Sequence, residues 1–208
     1  MIEVIEAANS HRMTTPERVI SDLNLSSPDV GYIGRLIDRA SSVITEYTGR
    51  TFAKERVRED TTSDGDYRLV LERTPIREVH EVLYNDAVVD ADSYHIEHAG
   101  AGFLWMDHRW RSTRIYHHWL DFHKTRFYRQ RWTIEYTAGY NMPGSPDRDL
   151  PYDIEGVCLD LVSGWYQSRQ RDPGVRSEKV GDSQVQFFAT SEQQEARLLP
   201  LARWMRLD

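Results

Sequence analysis

The densest run of recognition-type side chains lies between Trp105 and Trp132. Seven cations (Arg109, Arg111, Arg114, Lys124, Arg126, Arg129 and Arg131) stand there against two anions, Asp107 and Asp121. That is a local charge of +5 in a chain of net charge −7, so the remainder carries −12. Trp105, Trp110, Tyr116, Trp119, Phe122, Phe127, Tyr128 and Trp132 are interleaved with the cations. Rings beside guanidiniums suit three arrangements. They form protein interface hot spots. They pack across the strands of a long β-hairpin with Arg over the ring faces. They also line single-stranded nucleic-acid grooves, where phosphates take the charge and bases stack. The residues leave all three open. On the first, Arg109, Trp110, Arg114, Trp119, Arg126 and Arg129 are expected to meet a partner or a second subunit.

Other groups that could do chemistry are weaker. His108, His117, His118 and His123 share the same stretch, but adjacent residues of a strand point to opposite faces, so His117 and His118 do not share a metal. Asp60, Asp64 and Asp66 lack the ligand ladder of a calcium loop and read as a turn before a strand. Gly100-Ala101-Gly102 has no third glycine and no following helix, so it reads as a hairpin turn. Cys158, the only cysteine, sits in an apolar helical stripe and reads as a small buried hydrophobe; a lone cysteine excludes an intrachain disulfide and fits a reducing, intracellular origin. No G-x-S-x-G elbow is present. No catalytic residue, metal ligand or cofactor is expected.

The elements that must position these groups run helix, strand, helix. Thr15-Pro16-Glu17 is an N-cap, a proline suited to the first turn and an acid, and it starts a short helix bearing Val19, Ile20 and Leu23. Ser27-Pro28-Asp29 starts a second, about six turns long, with Ile33, Leu36, Ile37, Ala40, Val43, Ile44 and Tyr47 on one face until Gly49. From about residue 53 the period becomes two: Tyr67, Leu69 and Leu71; Val82 and Tyr84 before Asn85-Asp86; Tyr94 and Ile96; Trp132, Ile134 and Tyr136. An antiparallel meander is expected. Pro151 opens a third long helix with Ile154, Val157, Cys158, Leu161, Val162, Trp165 and Tyr166 inward, ending at Pro173-Gly174. Residues 174–188 are polar and extended, and Ser191-x-x-Gln194 is a capping box for a last helix that Pro200 must interrupt. Leu36, Ile37, Val43, Ile44, Val157, Cys158, Leu161 and Trp165 are the expected structural core. Residues 1–12 carry no firm signal and are expected as an N-terminal arm.

Hydrophobic residues at 39% and charged residues at 28% of 208 exclude bulk disorder. The start, Met1 to Glu6, has neither a basic nor a long apolar region, and no apolar run reaches membrane-span length, so secretion and membrane insertion are not expected. Arg supplies 23 of the 26 basic residues. That bias fits contact surfaces, since guanidinium forks pair and stack, and it fits genome composition equally well.

In order along the chain, Leu36-Ile37-Asp38-Arg39-Ala40 through Glu46-Tyr47-Thr48-Gly49-Arg50-Thr51-Phe52, then Leu71-Glu72-Arg73-Thr74-Pro75-Ile76, then Tyr136-Thr137-Ala138-Gly139-Tyr140 carry a family resemblance. Leu161, Trp165, Tyr166 and Arg169 followed by Gly174 to Asp182 agree with it. Residues 13–206 resemble the head-tail connector (adaptor, head completion) proteins of tailed bacteriophages and related gene transfer agents. The resemblance implies a structural virion protein of the neck, assembled in the host cytoplasm. It implies a homo-oligomeric ring, usually of twelve copies, that docks beneath the portal protein, presents a surface to the next neck or tail component and encloses genomic DNA without sequence-specific binding. It implies no catalysis and no cofactor. Arg176, Glu178, Lys179 and Asp182 become portal or subunit contacts on this reading. The chain departs from the family by extra residues between Trp105 and Gln130, whose role does not carry over. The expected fold is α+β: a small helical bundle from residues 13–52 and 141–208, with an inserted antiparallel β-rich domain at 53–140. The rival function is a sequence-independent nucleic-acid-binding module using residues 105–132.

Overall fold

The computed structural model describes residues 1–26, 28–113, 131–169, 177–180, 183–186 and 190–206. Helix takes up 37% and strand 27%, with no closed barrel among the described residues, so the class is α+β as expected. The chain divides into two compact units, Met1–Asn9 with Ala53–Tyr140 and Ser10–Phe52 with Asn141–Asp208.

The first unit holds strands β1 (Ile2–Glu6), β2 (Glu55–Thr61), β3 (Arg68–Val70), β4 (Ile76–Tyr84), β5 (Ala87–Val88), β6 (Tyr94–His98), β7 (Phe103–Met106) and β8 (Trp132–Ala138). They form a five-stranded sheet in the order β1-β2-β8-β4-β5 and a three-stranded sheet in the order β3-β7-β6. All pairs are antiparallel. The expected meander is therefore corrected: β8, last in sequence, lies at the centre between β2 and β4. It wins that place because Trp132, Ile134, Tyr136 and Ala138 all point inward and are buried, the largest apolar stripe any of these strands can offer. The expected arm is corrected too, since Ile2–Glu6 pairs with β2. Val57, Leu69, Leu71, Val82, Leu104 and Met106 from both sheets join the β8 residues in one core. Asn85 and Asp86 take φ of 49° and 66°, the paired left-handed geometry of a two-residue hairpin turn, joining β4 to β5.

The second unit is helical. In α1 (Pro16–Asp22) the Thr15 hydroxyl accepts the Arg18 N–H, and in α2 (Val30–Thr48) Asp29 accepts the Tyr32 N–H at 2.9 Å. Gly49 ends α2 at φ 64°, where a side chain would be strained. Ile33, Leu36, Ile37, Ala40 and Ile44 form its buried stripe, while Val43 is half-buried at the flank, off the centre of the stripe where it was expected. In α3 (Tyr152–Ser168) Ile154, Val157, Cys158, Leu161, Val162 and Trp165 are buried. The helix ends at Ser168; the expected stop, Pro173-Gly174, lies outside the described residues. Two polar residues share the stripes and are satisfied there. Ser41 accepts the Met13 N–H at 3.0 Å, and Glu155 accepts from Thr14 and pairs with Arg148.

β9 (Ser177–Val180) and β10 (Ser183–Gln186) precede α4 (Thr190–Leu198). That helix begins one residue before Ser191, which therefore lies inside it rather than capping it. At Leu199 it tightens into a 3-10 segment through Trp204, as Pro200 requires. The Arg197 guanidinium lies where Gly164 has no side chain and donates to the Asp160 carbonyl at 2.8 Å. The chain end is clasped to the bundle: Asp153 accepts from Trp204 Nε1 at 2.7 Å and pairs with Arg203, Trp204 meets Phe52 edge to face, and the Arg206 N–H donates to Thr48.

Candidate docking surfaces

Two of the stretches that carry the resemblance meet inside the β unit. Tyr136 Oη donates to Glu59 at 2.5 Å and accepts the Arg73 N–H at 3.0 Å, while the Glu72 N–H donates to the Glu59 carboxyl at 3.0 Å. The Gly139 N–H donates to Pro75 O at 2.9 Å, and Arg77 Nε to Gly139 O at 2.7 Å. Gly139 sits at φ 105° with its absent Cβ only 2.3 Å from the Ala53 carbonyl, so no other residue fits without moving the backbone. Residues 71–77 are thereby strapped onto β8. Burial pushes the Glu59 carboxyl above its ordinary range, against the pull of the Tyr136 hydroxyl and the Glu72 N–H. Burial, and then the neighbouring Glu59, push the Tyr136 phenol far upward. Glu59 was missed in sequence, although Val57 inward on a strand places Glu55 and Glu59 on the same side. On the opposite face Glu135 is buried beneath Arg56 and Arg58; burial would raise its carboxyl, and the two guanidiniums outweigh that and hold it low.

The described part of the 105–132 stretch is the base of the excursion, and it is packed. Trp110, expected at a partner interface, is corrected: it is 0% exposed, meets Trp132 edge to face at 4.7 Å and donates Nε1–H to Tyr67 O at 3.0 Å. Its ring completes the core and is open neither to a partner nor to a base. Trp132 is buried as well and donates to the Arg111 carbonyl. The two ends of the base are tied down, Thr113 to Ser63 through their backbone at 2.9 Å and Arg131 to Asn85, Asp60 and Asp86. Asp60, expected in a turn, instead lies in β2 and accepts from Thr133 at 2.6 Å. Arg109 and His108 are exposed. Arg114, Trp119, Arg126 and Arg129, with His117, His118 and His123, lie outside the described residues.

The extended 174–188 segment contains a hairpin, with Val180 opposite Ser183, Lys179 opposite Gln184 and Glu178 opposite Val185. Arg176 and Asp182 lie outside the described residues. Cys158 is 4.0 Å from Ser41 Oγ, and burial pushes its thiol up to about 12, far from a nucleophile's range. Among the described residues no cluster of three or more His, Cys, Asp or Glu could hold a metal, and no helix is long and apolar enough to cross a membrane.

The described residues form an α+β protein with open strand edges, a hairpin and a strapped-down base. The sequence matches the family model for head completion protein over residues 13–187. It matches no curated protein. Among solved structures it is similar to a chain in the neck of an empty gene transfer agent particle computed with C6 symmetry, at 15% identity and a TM-score of 0.60. It is also similar to a chain in the virion of a native gene transfer agent particle (14%, 0.57) and to one in a native neck computed with C12 symmetry (15%, 0.56). Each match covers 100% of this chain and 96% of the other, and at these identities the likeness is one of fold. The chain belongs to the head completion protein family, the head-tail connector family that its ordered residues resemble.

Proposed function

We propose that this chain is a structural neck protein, not an enzyme, whose copies form a ring beneath the portal and join the DNA-filled head to the next neck or tail component. The observation that carries the reading is the coincidence, on one chain, of the head completion match and an end-to-end fold likeness to chains of gene transfer agent necks. The C12 symmetry of one such neck supports twelve copies. In this reading the β9–β10 hairpin, with Arg176, Glu178, Lys179 and Asp182, meets the portal, and DNA passes through the channel without being read. Burial of Trp110 and Trp132 in the β core removes two rings on which the nucleic-acid alternative relied. The test is to add purified chain to DNA-filled heads that lack it and to image them beside isolated portal rings. Added density below the portal and recovery of tail joining are expected. Heads that join tails equally well without the chain would overturn the reading.

A further inference from the structure

We propose that copies of this chain meet head to tail through two faces of the β unit: the outer side of the β3-β7-β6 sheet on one copy and the β1 edge on the next. This rests on the neck reading for the presence of several copies, and it names the surfaces through which they touch.

The first face is built by strand register. Arg68, Trp105 and His95 form one row across the sheet and Val70, Phe103 and His98 the next, while Leu69 and Leu104 are buried on the inward side and Ile96 packs against the core. Tyr67 stacks on Trp105 at 5.1 Å, and Arg109 lies 5.3 Å over Tyr67. Arg68 sits between the Phe103 and Trp105 rings, and Glu97 holds it there through two hydrogen bonds of 2.5 and 2.6 Å. Val70 is 58% exposed beside them. Half-buried rings carrying fixed guanidiniums are the composition of an interface centre, and side chains already held in place lose little freedom on binding.

The second face is an edge. Among the described residues β1 has β2 as its sole neighbour, so its outer backbone groups are free to meet another chain. The opposite edge strand, β5, is only two residues long, whereas β1 has five and contains neither Lys nor Pro. Ile5 falls at the register shift between Val4 and Glu6, and Val4 and Ile5 are 43% and 44% exposed. Glu3 and Glu6 flank them, and residues 1–10 hold no Lys or Arg. An apolar centre with acidic flanks complements rings with basic flanks, and one chain carries both. That favours a second copy as the occupant. Two different faces in contact make a heterologous joint, which closes into a ring when the rotation between copies allows.

The test is a charge exchange on the full chain. Arg68→Glu with Arg109→Glu makes the first face acidic, and Glu3→Arg with Glu6→Arg makes the edge basic. Each double variant is expected to stay monomeric by sedimentation at concentrations where wild type associates, and an equimolar mixture is expected to recover association because every contact in it is again of opposite sign. Should a double variant melt early, Arg109→Glu and Glu3→Arg alone, both on exposed side chains, carry the same test. Wild type that is monomeric at every concentration, or variants that associate as wild type does, or a mixture that fails to recover, would overturn the proposal. So would an absence of self-association together with Trp quenching by a single-stranded oligonucleotide that is lost in Arg109→Glu. Variants that associate normally while the chain still joins heads to tails remove these faces and leave the neck reading standing. Heads that join tails without the chain remove that reading and leave the sedimentation result interpretable.

Discussion

Half-buried Asp153 of the helical unit and buried Glu59 of the β unit meet different partners, although Glu135 of the β unit is held by arginines much as Asp153 is. In the helical unit Asp153 and Glu155 face cations, Arg203 and Arg148. In the β unit Glu59 faces neutral donors, the Tyr136 hydroxyl and the Glu72 N–H. A neighbouring guanidinium favours the ionised carboxyl, while burial among neutral groups favours the protonated one. The Asp153 carboxyl would be raised by burial, but Arg203 and Trp204 outweigh that and hold it below its ordinary value, whereas Glu59 is held above its own. Two acids that look alike in sequence therefore respond to pH in opposite directions, and the difference lies in what the fold puts beside them.

The largest effect is expected from removing a core ring from one unit. Trp165→Ala takes a buried side chain out of the α3 stripe, where Arg39 also covers its ring at 4.3 Å. A loss of about 3–5 kcal/mol is expected, read as a shift of the denaturation midpoint. A wild-type midpoint would place Trp165 outside the core. A smaller loss of about 1–3 kcal/mol is expected for Tyr136→Phe, which leaves the Arg73 N–H and the Glu59 carboxyl each short of a partner in the β unit. Hydrogen exchange at Glu72 and Arg73 should quicken with it, and unchanged exchange would show that the strap does not depend on this network.

Smaller effects are expected from the pH dependence of Glu59 and Asp153. The folded state keeps the Glu59 proton to higher pH than the unfolded chain does. Its contribution is complete below the ordinary value of 4.5 and is lost as pH rises through the folded value. Glu59→Gln should therefore gain on wild type as pH rises from 4.5 toward neutrality. For Asp153 the sign reverses: its contribution is present above 3.8 and is lost as pH falls through the folded value. Asp153→Asn should be less stable than wild type at neutral pH, with the gap closing below 3.8. Melting curves at several pH values read both, and parallel curves for either pair would refute the corresponding assignment. The smallest effect on stability belongs to the hairpin. Changing Arg176, Glu178 and Asp182 together to Ala should leave the melting curve in place while attachment to heads drops, and normal attachment would separate these residues from the portal.

Thr15 and Gly49 bound their helices as read from sequence, the Ser27-Pro28-Asp29 signal marked the start of α2 although Asp29, read as its first-turn acid, is the cap, and the 3.6-residue period of Leu36, Ile37 and Ile44 or of Val157, Leu161 and Trp165 marked the buried faces directly. Asn85-Asp86 was legible as the turn that follows a strand for the same reason: each signal is complete within a few residues, because caps, i to i+4 stripes and left-handed turns are settled by neighbours along the chain. The α+β class followed from such local signals taken in order, whereas the head completion family was legible only through the resemblance of the ordered runs Leu36 to Phe52, Leu71 to Ile76 and Tyr136 to Tyr140.

The tertiary structure alone decided the rest. Period two told that β8 is a strand but not that it lies between β2 and β4, because many strand pairings compete over long separations and the choice turns on total burial. Trp110 reads in sequence as one more ring in a basic stretch, and only the fold shows it closing the core against Trp132. Glu59 reads as one acid of a loop, and only the fold sets it beside Tyr136. Strand Ile2–Glu6 reads as a tail, because a short edge strand gains its stability from the sheet it joins rather than from its own residues. Composition could concentrate Arg and aromatic side chains in one stretch, but which of them pack inward and which face outward depends on contacts between residues far apart in the chain, and those exist only once the sheets have formed.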